Sequence, residues 1–189
     1  MKATIIPLLA AIPVWVVAAQ TPQAGNIFEK AINQPGIGWT FYGPDHKARE
    51  VAAAELPGGH AVRVAVARKG ANPWDIGALY PTIKPVAAGD TLLTVVYLRA
   101  PDVKEGETLT VPIGAGGADA PYTPIAAETV QVGSAWKRYY AAGVSTAAYA
   151  PGKARILIHL AGAKQVVEMG PAFLLDLGQG VDPAKLPKN

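Results

Sequence analysis

The 189-residue chain has no cysteine, three histidines and only two serines, Ser134 and Ser145. Each scarcity removes a chemistry. Without cysteine there is no disulfide, no thiolate nucleophile and no thiolate metal site, so an exported form would rest on its core alone. Neither serine stands in the Gly-x-Ser-x-Gly turn that exposes a hydrolase nucleophile. His46, His60 and His159 lack metal-ligand spacing. Charge is sparse too: 17 Lys+Arg against 14 Asp+Glu give a net +3 at pH 7. The basic residues are scattered, so no footprint for nucleic acid is visible. The glycine-rich "GAGGADA" at 114–120 lacks the third glycine of a dinucleotide loop and the lysine of a P-loop. It reads as a flexible loop between strands. Carboxylates lie on expected loops (Asp45, Asp75, Asp119) and strands (Glu128, Glu168), but spacing alone does not pair two of them for glycoside hydrolysis.

The only long apolar run is near the start, from Ile5 to Ala19, after the single charge of Lys2. Small residues at Val17-Ala18-Ala19 fit cleavage after Ala19, the layout of a secretory signal peptide over residues 1–19. The run falls short of the ~20 residues of a membrane span and holds Pro7 and Pro13. With Lys2 removed, the net charge is +3 − 1 = +2. The expected location is secreted or periplasmic, with no membrane association after signal removal.

What remains is rich in short β-type runs punctuated by Gly, Pro and Asp about every ten residues. Strands are expected at 26–30, 38–43, 60–68, 78–84, 91–99, 107–113, 124–131, 136–143, 154–161 and 171–177. Val62, Val64 and Val66 alternate with Arg63, Ala65 and Ala67. Ile156, Ile158 and Leu160 likewise alternate with Arg155, Leu157 and His159. Alanine runs at 52–54 and 147–148 fit single helical turns. The pattern predicts an all-β, two-sheet antiparallel sandwich over 20–178. A polar, proline-bearing tail over 179–189 reads as a loose end.

Aromatic residues gather near strand ends and loops: Trp39, Phe41, Tyr42, Trp74, Tyr80, Tyr122, Trp136, Tyr139 and Tyr140. A sugar has an apolar C–H face that stacks on a ring and a hydroxyl rim that hydrogen-bonds to amides, acids or imidazole. "KGANPWDIG" at 69–77 supplies both kinds of group, with Asn72, Trp74 and Asp75 within four residues. On these residues alone, Trp74 fits a core plug as well as a ligand platform. Core positions suit Trp39 and Trp136 better.

The order of segments resembles the carbohydrate-binding modules of the family 4/9/22 type. The segments that carry the likeness are "NIFEKAINQPGIGW", "GGHAVRVAVARKGANPWDIG", "VAAGDTLLTVVYLRA", "APYTP", "VGSAWKRYY" and "ARILIHLAGAKQVVEMGPAFLLDLG". The resemblance implies a jelly roll, galactose-binding-domain-like, with a cleft on its concave sheet. Trp74 and Tyr122 match the aromatic positions of that cleft. His159 matches a polar position where relatives carry an amide or an acid, and Gln165 lies near another. Asn72, Asp75 and Arg63 would add hydroxyl contacts. The resemblance also implies a structural calcium held by Glu29 and Asp176; calcium takes six to eight oxygens, so backbone carbonyls would have to complete the set. No other cofactor is implied.

The reading that follows is a non-catalytic protein that binds a plant-type or bacterial polysaccharide or oligosaccharide. Two alternatives stay open. One is a jelly-roll lyase or glycosidase working through His159, Tyr122 and Arg63. The other is an envelope adaptor whose aromatics form a protein interface.

Overall fold

The structure, a computed structural model, describes residues 27–189. The expected signal peptide lies outside the described residues. The chain forms two five-stranded antiparallel sheets packed face to face, as the alternation predicts. Ten strands follow in order: β1 (Thr40–Tyr42), β2 (His46–Ala52), β3 (His60–Val66), β4 (Gly77–Pro81), β5 (Asp90–Arg99), β6 (Leu109–Gly117), β7 (Pro124–Val132), β8 (Lys137–Val144), β9 (Ala154–His159) and β10 (Gln165–Gln179). One sheet runs β1-β4-β9-β6-β7 and the other β2-β3-β10-β5-β8.

The core is the seam between the sheets. Ile156, Ile158 and Leu160 meet Val62, Val64 and Val66 there, with Leu92, Val96, Leu98, Met169 and Leu174. A period-2 pattern sends one face of each strand into this seam, and each buried Val, Leu or Ile contributes about 1.5–3 kcal/mol. Trp39 belongs to the core. Its ring meets Tyr80 edge-on at 5.3 Å, and its indole N–H donates to the Gly170 carbonyl at 3.2 Å.

The second sheet has a covered outer face. Ala53, Leu56 and Ala61 pack there with Trp136 at one place. At another, Leu93, Val95, Phe173 and Leu175 pack with Leu186 of the C-terminal segment. Trp136 is therefore half-buried outside the seam, with the Arg99 guanidinium 4.8 Å above its ring. The tail is not loose as expected. The Thr91 hydroxyl donates to the Val181 carbonyl at 2.7 Å, and the Asn189 side chain pairs with the Tyr140 backbone at 2.8 and 2.9 Å. Polar composition concealed one apolar anchor, Leu186.

Other expectations need correction. Residues Ile27–Lys30 form a short 3-10 turn instead of a strand, followed by isolated bridges such as Ala31 to Leu175. The strand at His46–Ala52 was not anticipated, because as an edge strand with mostly exposed residues it shows no clear alternation. The glycine run at 114–117 is the end of β6 and not a loop. Backbone crowding explains its composition. A Cβ on Gly114 would stand 2.1 Å from the Ala126 carbonyl oxygen, and one on Gly143 of β8 would stand 1.9 Å from that of Ile125. Glycine in a strand marks such an approach. Gly114→Ala is expected to destabilise the fold by about 1–3 kcal/mol, the usual cost of overpacking. A lowered urea midpoint would register it; an unchanged one would contradict this contact between β6 and β7.

Candidate functional site

The first sheet differs from the second in that its outward face carries no covering cluster among the described residues. β9 runs through its middle and turns Arg155, Leu157 and His159 outward. Register fixes what surrounds them. His159 lies opposite Gly77 of β4, Leu157 between Leu79 of β4 and Gly114 of β6, and Arg155 between Pro81 of β4 and Gly116 of β6. The floor is therefore low, with glycine at three of these neighbouring positions. Four residues of strand put Arg155 and His159 about 13 Å apart along the face.

An exposed aromatic stands at each end. Trp74 is 56% exposed and meets the His159 ring edge-on, with centroids 6.3 Å apart. Tyr122 is 60% exposed, with the Arg155 guanidinium 5.6 Å from its ring centre. Among the described residues the other large apolar side chains left exposed are Ile83 and Val144.

The turn under Trp74 is tightly held. Pro73–Asp75 forms a 3-10 turn. The Asp75 carboxylate accepts the Asn72 backbone N–H at 2.9 Å and lies 3.4 Å from the Asn72 amide nitrogen. The Asn72 hydrogen bonds hold the Asp75 carboxyl below the usual range. The turn is tied to the end of β9 as well: Ala161 N–H donates to the Pro73 carbonyl at 3.0 Å, and Gly70 N–H to the Ala161 carbonyl at 2.9 Å. Asn72 and Asp75 thus fix the platform that carries Trp74.

Tyr122 is presented by a loop with the Ala120–Pro121 peptide in cis and Tyr122 itself at φ +56°. A bulky residue in the left-handed region costs about 1–2 kcal/mol. Tyr122 N–H donates to the Asp119 carbonyl at 2.8 Å, and Gly117 N–H to the Thr123 carbonyl at 2.9 Å. Asp119 is bound in turn by Lys153 at 3.0 Å. These contacts hold the ring outward.

Tyr42 was not among the expected site residues. Its ring covers Gly77, since a Cβ there would meet the Tyr42 hydroxyl at 2.6 Å. Burial raises the Tyr42 hydroxyl above its ordinary value, while the positive charge of Arg155 opposes that shift. Arg155 was also missed as a site residue. The signal for both was strand parity: each shares the outward face with His159 through the register of β1, β4 and β9.

Two expected contacts lie elsewhere. Arg63 is on the outward face of the other sheet, where its Nε donates to Glu168 at 2.7 Å. The trio of His159, Tyr122 and Arg63 is therefore not assembled. Gln165 is buried at the start of β10, where its amide donates to the Leu160 carbonyl, and it lines a separate depression of about 690 Å³ with His46, Lys47 and Val103. Its parity matches Val66, a core position, which explains the difference. Glu29 is exposed on the first short turn, and one Asp176 oxygen accepts the Gly178 N–H at 2.9 Å. Among the described residues no three His, Asp or Glu side chains gather where they could hold a metal ion.

His159 is half-buried against this face, and burial lowers its pKa. The unfolded chain then binds the proton more readily than the folded one. Neutral His159 is compatible with full stability above its unfolded pKa of about 6.5, and stability falls as pH drops below that value. Thermal melts between pH 8 and 5 are expected to show this loss, and His159→Asn to flatten it. An identical profile in the variant would remove His159 as the cause.

No family model matches the chain, and no curated protein matches it in sequence. Solved structures do match in shape. A family 4 carbohydrate-binding module has a TM-score of 0.54 at 19% identity, over 74% of this chain and 94% of that one. The N-terminal cellulose-binding domain of Cellulomonas fimi β-1,4-glucanase C has a TM-score of 0.52 at 18% identity, over 77% of this chain and 90% of that domain. A putative sugar binding protein from Bacteroides thetaiotaomicron has a TM-score of 0.54 at 8% identity, over 73% and 87%. At these identities the likeness is one of fold: the chain has the two-sheet jelly roll of carbohydrate-binding modules, as its order of segments suggested.

Proposed function

We propose that this is an exported, non-catalytic carbohydrate-binding protein that holds a polysaccharide or oligosaccharide across the outward face of the sheet β1-β4-β9-β6-β7. The observation that carries this reading is the pair of exposed rings, Trp74 and Tyr122, at opposite ends of β9 above a floor of glycines and Leu157. Exposed aromatic surface has a cost in water that stacking on a sugar's C–H face removes. The rings are fixed before a ligand arrives, which reduces the entropy lost on binding. His159 and the Tyr42 hydroxyl supply polar edges between the platforms.

The fold likeness to carbohydrate-binding modules supports the same reading. The enzyme alternative loses its best candidate set with Arg63 on the opposite sheet. A stacked ring contributes about 1 kcal/mol beyond burial, so micromolar affinity, about −8 kcal/mol, requires several sugar contacts along the face. Isothermal titration against fragments of xylan, mixed-linkage glucan, cellulose and acidic polysaccharides tests it. Heat with at least one class is expected; silence across the panel would overturn the reading.

A further inference from the structure

Resting on that reading, we infer that the glycan is acidic, and that Arg155 receives its carboxylate on the outward face of β9 between Tyr122 and Leu157. Three of the other five arginines in the described chain are paired with acids, while Arg49 and Arg138 stand exposed to water. Arg63 and Arg99 share Glu168 at 2.6 and 2.5 Å, and Arg68 holds Asp45 at 2.7 Å. Arg155 has no ion pair among the described residues, and its Nε is shut off from water with no hydrogen-bond partner. Its register neighbours explain why. Pro81 on one side and Gly116 on the other carry no acceptor in their side chains. The nearby acid Asp119 is taken by Lys153.

The result is a half-buried cation on a low, apolar floor, with an exposed ring beside it. The buried Nε is closed to a ligand as it is to water, so a ligand meets the guanidinium at its Nη groups, where a charge held half out of water without a counter-ion is costly. A carboxylate is the complementary group, because it accepts two parallel N–H bonds from a guanidinium and cancels its charge. A uronate supplies that carboxylate on a ring able to stack on Tyr122. A neutral sugar offers only hydroxyl acceptors and leaves the charge unpaired.

The test compares short glucuronate, galacturonate and mannuronate oligosaccharides with the same oligosaccharides after methyl esterification, alongside the neutral panel. The unmodified protein needs no variant for this comparison. At least one oligouronate is expected to bind, and esterification to weaken it about tenfold or more, as loss of a charge-assisted bond would. Arg155→Gln is expected to weaken the acidic ligand by a similar factor and to remove the difference between acid and ester, while Arg155→Lys retains part of it. A melting temperature close to that of the parent shows that the variants are folded. Equal binding of acid and ester, or binding of neutral glycans alone, overturns the acidic ligand and leaves carbohydrate binding standing. Absence of binding to every glycan overturns both.

Discussion

Trp74→Ala is expected to abolish most glycan affinity while leaving the fold intact. The ring is 56% exposed, so its removal takes little from the core. It gives up one edge-on contact with His159, worth about 1 kcal/mol or less at an exposed site. Melting temperature should therefore barely move. Binding should fall much further. Covering about 100 Å² of indole with a sugar face contributes roughly 2.5 kcal/mol at about 25 cal/mol per Å². The expected loss is about 2–3 kcal/mol, or roughly 30- to 150-fold in Kd. Titration with the best ligand of the panel measures it. Tyr122→Ala should act in the same direction at the other end of β9, and because alanine keeps the Cβ it leaves the left-handed backbone there as unfavourable as before. Unchanged affinity in both variants would show that the ligand sits elsewhere.

Glu168→Gln should have the opposite profile, with a large loss of stability and little direct effect on binding. Glu168 is 1% exposed and lies on the outward face of the other sheet, held by Arg63 and Arg99 through both its oxygens. Register places the three side by side on β3, β10 and β5. Removing one member of a buried charge set costs about 3–5 kcal/mol, because the remaining charges stay buried without a partner. Both arginines reach water in part, so the lower end applies. About 3 kcal/mol corresponds to a fall in Tm of roughly 6–12 °C for a domain of this size. Replacing all three together, with Arg63→Met, Arg99→Met and Glu168→Leu, should recover much of that loss, since apolar groups of similar volume carry no desolvation cost. A triple variant as unstable as Glu168→Gln would refute this account.

The seam of the sandwich was legible in the chain because strand parity is strict. Once Ile156, Ile158 and Leu160 are assigned inward, Arg155, Leu157 and His159 must point outward. The same rule could have excluded Gln165, which shares the parity of the core-facing residues of β10, and could have added Arg155 to the site. It was less useful at β2, an edge strand whose residues are mostly exposed, and in the glycine run of β6. There the composition answers to the carbonyl of a neighbouring strand, which the run itself does not encode.

The sequence by itself determined that this protein is an all-β sandwich without thiol or serine-elbow chemistry, and it singled out the Trp74 turn as unusual. It could not say which of two outward faces is open, because both carry alternating residues. Only the tertiary structure decided that. Among the described residues Leu56 and Leu186 cover one sheet, while none forms such a cluster on the other, which has Trp74 and Tyr122 at its ends. The physical reason is that parity is local to a strand. Cover depends on where distant segments of chain come to rest, and on which apolar side chains they bring with them.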